Sequence, residues 1–259
     1  MIDDHYYPLN WGIKPILFQI GNLGVPAYAF FVLLGLMVGL AVYFYEARRQ
    51  KVLSENGFFI VVGSLLGGIV GARVLQALVD YSYFFYHFSG WEILFSGRTI
   101  IGGLIGGTLG AILTKKILGI NEKRGNLFAP AIAIGVAIGR LGCFFRGCCY
   151  GQPTNLPWGV NFGDGIMRHP TQIYESLFML AMFIYLERIK NNKDIKPGQL
   201  FKILMISYFV FRFFMEFIRV ERLAFAGLTF FQIICLFVII YLIRDNIRHF
   251  VKNNFKIYG

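Results

Sequence analysis

The chain has 259 residues, of which 56% are hydrophobic and 15% charged. A soluble domain carries about a quarter charged residues, so the composition excludes an ordinary pair of soluble domains and points to a chain solvated by lipid. The net charge of +11 admits two classes of partner, nucleic acid or membrane surface, and the placement of the charges decides between them. Fifteen of the 25 Lys and Arg fall in four short clusters between apolar stretches. The clusters are Arg48, Arg49 and Lys51; Lys115, Lys116, Lys123 and Arg124; Arg188, Lys190, Lys193 and Lys196; and Arg244, Arg248, Lys252 and Lys256. Such basic loops flanking apolar runs are the signature of cytoplasmic loops in a membrane protein, and no nucleic-acid partner is expected.

In chain order, Met1 to Gly24 shows neither a basic leader nor a clean apolar core, so it does not read as a cleavable signal. It is expected to form an interfacial arm, with Tyr6, Tyr7, Trp11 and Phe18 at the headgroup level. A spanning helix needs about 20 largely apolar residues. Pro26 to Tyr45 meets this without a charge, and Gly57 to Val79 does so with Arg73 alone. Ile100 to Leu118 is shorter and Gly-rich, ending over Lys115 and Lys116, which can snorkel. Asn126 to Phe145 contains Arg140, and Thr171 to Leu186 contains Glu175. Leu200 to Ile218 contains Lys202, Arg212 and Glu216, and Leu228 to Ile243 is uncharged.

These runs predict an all-α integral membrane protein, a single transmembrane domain over residues 1–259 with about seven spans. The basic clusters place the N-terminus outside and the C-terminus in the cytoplasm. The outside then holds the N-terminal arm, Asp80 to Thr99, Arg146 to Pro170 and Arg219 to Gly227, with only six Lys and Arg among them. Gly63, Gly67, Gly68 and Gly71 cluster in the second span, and Gly102, Gly103, Gly106, Gly107 and Gly110 in the third. Small residues at this spacing let helices approach closely. Gly102 and Gly103, near the outer face, are also expected to leave room for a lipid headgroup.

A charged side chain within a membrane span is disfavoured by about 2.5–3.5 kcal/mol on insertion scales, so Arg73, Arg140, Arg212, Glu175 and Glu216 call for a reason. Arg212 and Glu216 are four residues apart on one helix face and can pair. A buried ion pair is one reading. A cavity for an anionic substrate is the other, and three arginines within the spans of one small protein favour it. Arginine suits bidentate phosphate binding, and a phospholipid headgroup is the phosphate at hand.

The densest segment runs from Gly139 through Arg140, Gly142, Cys143, Arg146, Cys148 and Cys149 to Gly151. The spacing of its three cysteines is not a CxxC pair, and His169 is the only nearby further ligand, which argues against zinc. No metal or cofactor is expected. A redox pair and simple packing both stay open for these thiols. Cys235, in the last span, reads as a small apolar core residue. Downstream, Arg168-His-Pro-Thr-Gln-Ile-Tyr-Glu175 starts a helix at Pro170, placing His169 at the outer interface and Glu175 about one turn inside.

Here the chain resembles a known family. Gly-Gly-Leu-Ile-Gly (Gly102 to Gly106), Gly-Arg-x-Gly (Gly139 to Gly142) continuing to Gly151, Arg168-His-Pro-Thr-Gln-Ile-Tyr-Glu175, Arg212-x-x-x-Glu216 and Leu228-Thr-x-x-Gln-Ile recur in this order in the bacterial prolipoprotein diacylglyceryl transferases. The resemblance covers about residues 20 to 243. It implies transfer of a diacylglyceryl group from phosphatidylglycerol to the lipobox Cys thiol in the signal peptide of a prolipoprotein, in the bacterial inner (plasma) membrane, with membrane lipid as the surrounding partner. It implies that Arg140 and Arg212 hold the phosphate, that Glu216 orients Arg212, and that Tyr28 and His169 line the cavity. Arg73, Gly102, Gly103, Gly142 and Gly151 are then candidates for the lipid-binding surface.

Three positions depart from the family's pattern. Ile101 stands where the family commonly has the His proposed as base for the incoming thiol, Cys143 where it has Asn, and Cys148 where it has an acid. Within the resemblance, His169 or a Cys148 thiolate near Arg146 becomes the candidate base, and Cys143 and Cys148 become candidate catalytic groups. The alternatives are a divergent paralogue acting on another lipid or thiol acceptor, and a phospholipid-binding membrane protein without catalysis.

Overall fold

The computed structural model describes residues 12–21, 23–79, 99–121, 123–221 and 223–255, with only the backbone of Leu23 and of residues 245–255. Tyr6, Tyr7 and Trp11 of the expected arm, nearly all of the loop from Asp80 to Thr99, and the side chains of Arg248, Lys252 and Lys256 lie outside the described residues. Seven helices carry the described chain: α1 (Ala27–Arg49), α2 (Glu55–Val79), α3 (Ile100–Ile117), α4 (Gly125–Arg146), α5 (Thr171–Ile189), α6 (Gln199–Met215) and α7 (Phe230–Phe255). Each covers one of the apolar runs, because an unbroken run in lipid can satisfy its backbone only within a helix. The first four are long and apolar enough to cross a membrane. Their outward faces are apolar: Leu33, Met37, Leu66, Val70, Leu109 and Leu113 are all more than half exposed.

Three small hairpins join the helices. Strands β1 (Ile16–Ile20) and β2 (Leu23–Pro26) pair antiparallel just before α1, as do β3 (Val160–Asn161) with β4 (Met167–Arg168), and β5 (Leu223–Phe225) with β6 (Leu228–Thr229). The expected arm therefore contains a hairpin, with Phe18 set edge-on to Phe30 of α1 at 6.0 Å. The Thr-x-x-Gln motif is a capping box: Gln232 N–H donates to Thr229 Oγ1 at 3.2 Å, and Thr229 N–H donates to Gln232 Oε1 at 2.8 Å. Two orphan donors at the start of α7 are thereby satisfied reciprocally.

The described residues divide into two compact units, a larger one within 12–43 and 123–255 and a smaller one within 44–121. In the latter, α2 and α3 meet backbone to backbone. A Cβ on Gly67 would lie 2.4 Å from the Gly106 carbonyl oxygen, and one on Gly106 would lie 2.3 Å from that of Gly67. Gly71 and Gly102 interlock in the same way, a Cβ on Gly102 falling 2.3 Å from Gly71 O. The expectation that Gly102 leaves room for a headgroup is thereby corrected, since its missing side chain is filled by the facing helix. Gly103 makes only ordinary contact, 3.7 Å from Gly68 O. Ile101 is buried in this unit, and Arg73 is half-buried on α2.

In the larger unit α4 is the hub, lined by buried Ala129, Ala131, Ala133 and Ala137. Small residues let α1 close on it, where a Cβ on Gly35 would lie 2.5 Å from Gly135 O. From α5, Ser176 Oγ donates to Ala137 O at 2.7 Å, a cross-helix bond of the kind that joins spans. At one end of the unit Asn126 clasps the 196–200 turn, donating to Lys196 O and accepting from Leu200 N–H, both at 3.0 Å. At the other end Gly12 N–H donates to Phe162 O at 2.8 Å and Lys14 N–H to Phe145 O at 3.0 Å. The N-terminal arm and the 146–170 loop thus share one side of this unit.

Candidate active site

The site is assembled at that second end of the larger unit. Arg140, on α4, and Glu175, one turn into α5, are both almost fully buried and meet at 2.5 Å. Tyr208 of α6, also fully buried, donates its hydroxyl to the other carboxylate oxygen at 2.8 Å. Three helices are therefore tied together at one carboxylate. A buried charge is tolerated only when paired and hydrogen-bonded, and Glu175 meets both conditions.

Tyr208, Arg212 and Glu216 follow at four-residue spacing, which places them on one face of α6 and the short 3-10 turn that extends it. Arg212 Nη1 lies 2.8 Å from Glu216 Oε2, so the expected pair forms, although the two are not aligned for a hydrogen bond. Phe231 lies beneath the Arg212 guanidinium, 5.9 Å from it to the ring centre. Arg219, one turn on, is buried as well. It reaches Glu216 at 3.9 Å and Glu221 at 3.4 Å, and donates to Cys149 O at 3.2 Å. Arg212 and Arg219 share Glu216, and Tyr208, one turn before Arg212, joins Arg140 at Glu175, so the three guanidinium groups belong to one cluster.

Arg140 Nε, Arg212 Nη1 and Arg219 Nε are buried donors whose hydrogens no described side chain accepts. Buried donors in native proteins find acceptors, and an anion with several oxygens is the chemistry that matches three converging guanidinium groups. Among the buried charges of the cluster, Arg140, Arg212 and Arg219 face Glu175 and Glu216. One positive charge is left over, which the partly exposed Glu221 meets only at the rim.

The cysteine segment closes over this cluster. Helix α4 ends at Gly147, whose φ of +76° is left-handed, and Cys149 adopts φ +62°, a conformation a non-glycine residue takes at a penalty of about 1–2 kcal/mol. The bend is held by three side chains: Gln172 Nε2 donates to Cys148 O at 2.5 Å, Thr171 Oγ1 to Cys149 O at 2.5 Å, and Arg219 to Cys149 O as above. As a result the sulfurs of Cys143, Cys148 and Cys149 lie within 4.8 Å of one another. Arg140 Nη1 points at Cys143 Sγ from 3.7 Å, and Cys148 Sγ donates to Cys143 O at 3.7 Å. Hydrogen bonding to the Cys143 and Cys149 thiols, together with burial, pushes the Cys148 thiol well above the usual thiol range. That direction weighs against a Cys148 thiolate as base. The spacing that argued against a metal nevertheless brings three thiols together.

Two glycines admit close approach. A Cβ on Gly142 would lie 3.1 Å from both the Cα and the carbonyl oxygen of Tyr28, and one on Gly151 would lie 2.6 Å from Ile218 O and 2.7 Å from His169 Cβ. Gly142 thus seats Tyr28, whose ring lies under the Arg146 guanidinium at 5.4 Å. Gly151 joins the 150s turn to both His169 and the end of α6, as its bridge to Arg219 also shows. His169 belongs to a more exposed group: its Nδ1 is 3.3 Å from Tyr174 Oη, which accepts from Trp158 Nε1 at 2.8 Å. Nearby, Arg168 pairs with Asp164 and covers the Tyr150 ring at 4.8 Å. Arg73, Gly102 and Gly103 belong to the other unit.

Charge within an apolar run singles out Arg140, Glu175, Arg212 and Glu216, but nothing local shows the bond between Arg140 and Glu175, which are 35 residues apart. Charge within a run does not single out Tyr208 or Arg219. Both carried a local signal, standing four residues before Arg212 and three after Glu216.

Comparison with known proteins bears on this geometry. The family model for prolipoprotein diacylglyceryl transferase matches residues 15–244. A phosphatidylglycerol–prolipoprotein diacylglyceryl transferase of Clostridium tetani is 33% identical, over 80% of this chain and 86% of the relative. Proteins of the same name from Finegoldia magna and Clostridioides difficile are 33% and 30% identical, each over 87% of this chain and 91% of the relative. The match spans every element that builds the guanidinium cluster, from the end of α4 to the capping box of α7, and the chain belongs to the prolipoprotein diacylglyceryl transferase family.

Proposed function

We propose that this protein transfers a diacylglyceryl group from phosphatidylglycerol to the lipobox cysteine thiol of prolipoproteins. The observation that carries this reading is the buried cluster of Arg140, Arg212 and Arg219 around Glu175 and Glu216, in a chain of this family. In the reaction the acceptor sulfur attacks the glyceryl carbon that bears the phosphate ester. A C–S bond forms, the C–O bond breaks, and its electron pair leaves on glycerol phosphate. The phosphate passes from one negative charge to nearly two, so donors aimed at it bind the transition state more tightly than the ground state. Arg140 and Arg212 are assigned to that phosphate, Glu216 and Glu175 to their orientation, and Tyr28, Gly142 and Gly151 to the walls. Cys143 lies against Arg140, and Cys148 is assigned to the site as a neutral thiol.

The acceptor thiol must lose its proton. The buried Ile101 cannot take it, and burial with the neighbouring thiols disfavours a Cys148 thiolate. His169 is assigned as the base, held by Tyr174 on the side of the unit shared with the N-terminal arm. In the bacterial inner membrane the seven helices are assigned as seven spans, with the N-terminus, the arm and the 146–170 loop outside and the C-terminus inside. Arg73 and Gly103, in the smaller unit, are assigned to contact with membrane lipid.

The buried Ile101 also favours a second reading, a family member whose acceptor is a different thiol. The test is complementation of a bacterial strain depleted of its own diacylglyceryl transferase. Growth restored by the wild-type chain and not by Arg212→Ala supports transfer to prolipoproteins. Failure of well-expressed, membrane-inserted wild-type protein to restore growth rejects it in favour of the second reading.

A further inference from the structure

We propose that Cys143, Cys148 and Cys149 form a three-coordinate site for a soft monovalent metal ion, Cu(I). Three features of the structure converge on this. First, the three sulfurs lie within 4.8 Å of one another. A metal–sulfur bond of about 2.3 Å sets neighbouring sulfurs about 3.8–4.0 Å apart around one ion, so closing on an ion requires movements of about an ångström or less. Second, the turn that brings the thiols together is fixed against its own backbone preference. Cys149 is held left-handed, and the carbonyls of Cys148 and Cys149 are pinned by Gln172, Thr171 and Arg219, all three of them buried. Outer-shell bonds of this kind are what orient metal ligands, and packing alone gives no reason for a strained residue clasped at consecutive carbonyls.

Third, the ligand chemistry selects the ion. Soft thiolates favour Cu(I), Zn(II) and iron–sulfur clusters. Structural zinc takes four ligands, and among the described residues no fourth Cys, His, Asp or Glu joins the group. An all-sulfur trigonal set needs none for Cu(I). Each ligating thiol releases its proton to solvent, leaving three thiolates and one Cu(I) with a net charge of −2. Arg140, 3.7 Å from Cys143 Sγ, and Arg219, bonded to Cys149 O, lie beside this charge, and the cluster's one unmatched positive charge offsets part of it. Cys143 is buried while Cys148 and Cys149 are half-buried, so an ion has a way in from the side of the 146–170 loop. Because Cys143, Cys148 and Arg140 also belong to the proposed transfer site, the assignment is tested by metal retention and not by transfer.

The purified full-length protein, reduced and anaerobic in detergent, is titrated with Cu(I) against a chromophoric Cu(I) chelator. One equivalent is expected to be held, with an X-ray absorption edge and fine structure reporting three sulfurs. Cys143→Ser, Cys148→Ser and Cys149→Ser should each weaken retention at least 100-fold, and Cys235→Ser should leave it unchanged. Should a Ser variant fail to fold, the wild type alone decides by mass spectrometry: Cu(I) must protect these three thiols, and not Cys235, from maleimide. Retention below the chelator's range, a disulfide among the three in protein kept reduced, retention lost in Cys235→Ser, or a Zn(II) arm that binds more tightly with a nitrogen or oxygen ligand would each overturn the proposal.

Discussion

Glu175 offers the sharpest separation of stability from catalysis. Its carboxylate holds Arg140 at 2.5 Å and Tyr208 at 2.8 Å, with both charged side chains at most 6% exposed. Removing one partner of a buried pair leaves the other charge uncompensated, a loss of about 3–5 kcal/mol. Glu175→Gln is expected at the lower end, because the amide can still accept from Tyr208. Replacing both partners by apolar residues of similar volume removes the desolvation penalty with the attraction and is often close to neutral. Tyr208 would then lack its acceptor, so the apolar replacement includes it: the triple variant Arg140→Met, Glu175→Met and Tyr208→Phe should recover most of the stability lost by Glu175→Gln, while transfer activity stays abolished. Equilibrium unfolding in detergent reads the first quantity, and transfer of labelled diacylglyceryl to a lipobox peptide reads the second. A Glu175→Gln protein as stable as wild type, or a stable triple variant that still transfers, would refute the reasoning.

Other outcomes follow from single contacts. Gly151→Ala drives a Cβ to 2.6 Å from Ile218 O and 2.7 Å from His169 Cβ, so it should destabilise by about 1–3 kcal/mol and lower transfer by displacing both ends of the turn, which unfolding and kinetics on the same preparation will show. Gln232→Ala removes half of the capping box and the amide donor to Phe213 O on α6, 3.4 Å away, and should destabilise by about 1–2 kcal/mol, read by unfolding in detergent. Asp164 is pulled upward by burial, but the hydrogen bonds from Arg168 and from Ile166 N–H outweigh this and hold it below the usual carboxylate range. A depressed folded-state pKa means stabilisation present above the unfolded value of about 3.9 and lost as pH falls through the folded value. Unfolding measured against pH should therefore show wild type losing its small advantage over Asp164→Asn only in that acid range, and an advantage growing toward low pH would contradict the assignment.

The helices were legible in the sequence because each is a long apolar run, and lipid leaves such a run no other way to satisfy its backbone. The Arg212–Glu216 pair was legible because four-residue spacing on a helix is a local fact. Arg140 with Glu175 was not, because which buried carboxylate meets which guanidinium depends on how α4 packs on α5, and that packing is set by Ala137 and Ser176 rather than by any spacing. The glycines of α2 and α3 were legible as small residues. That Gly102 is filled by Gly71 O became apparent only with the partner helix in place. The thiol cluster was hidden for a different reason. Its geometry depends on the left-handed turns at Gly147 and Cys149, and a left-handed cysteine has no signature in sequence. The seven helices coincide in position with the apolar runs, four of them long and apolar enough to cross a membrane, and the strands of the three hairpins were too short for their pattern to show.

The central claim is that the guanidinium cluster acts on phosphatidylglycerol although Ile101 replaces the usual His. The most direct measurement is mass spectrometry of a lipobox peptide incubated with phosphatidylglycerol and the purified protein, wild type beside Arg140→Ala. A peptide gaining one diacylglyceryl group in a thioether at its cysteine, with release of glycerol phosphate and loss of both in a folded Arg140→Ala, is the predicted result. An unmodified peptide from folded wild-type protein in a phosphatidylglycerol membrane would contradict it.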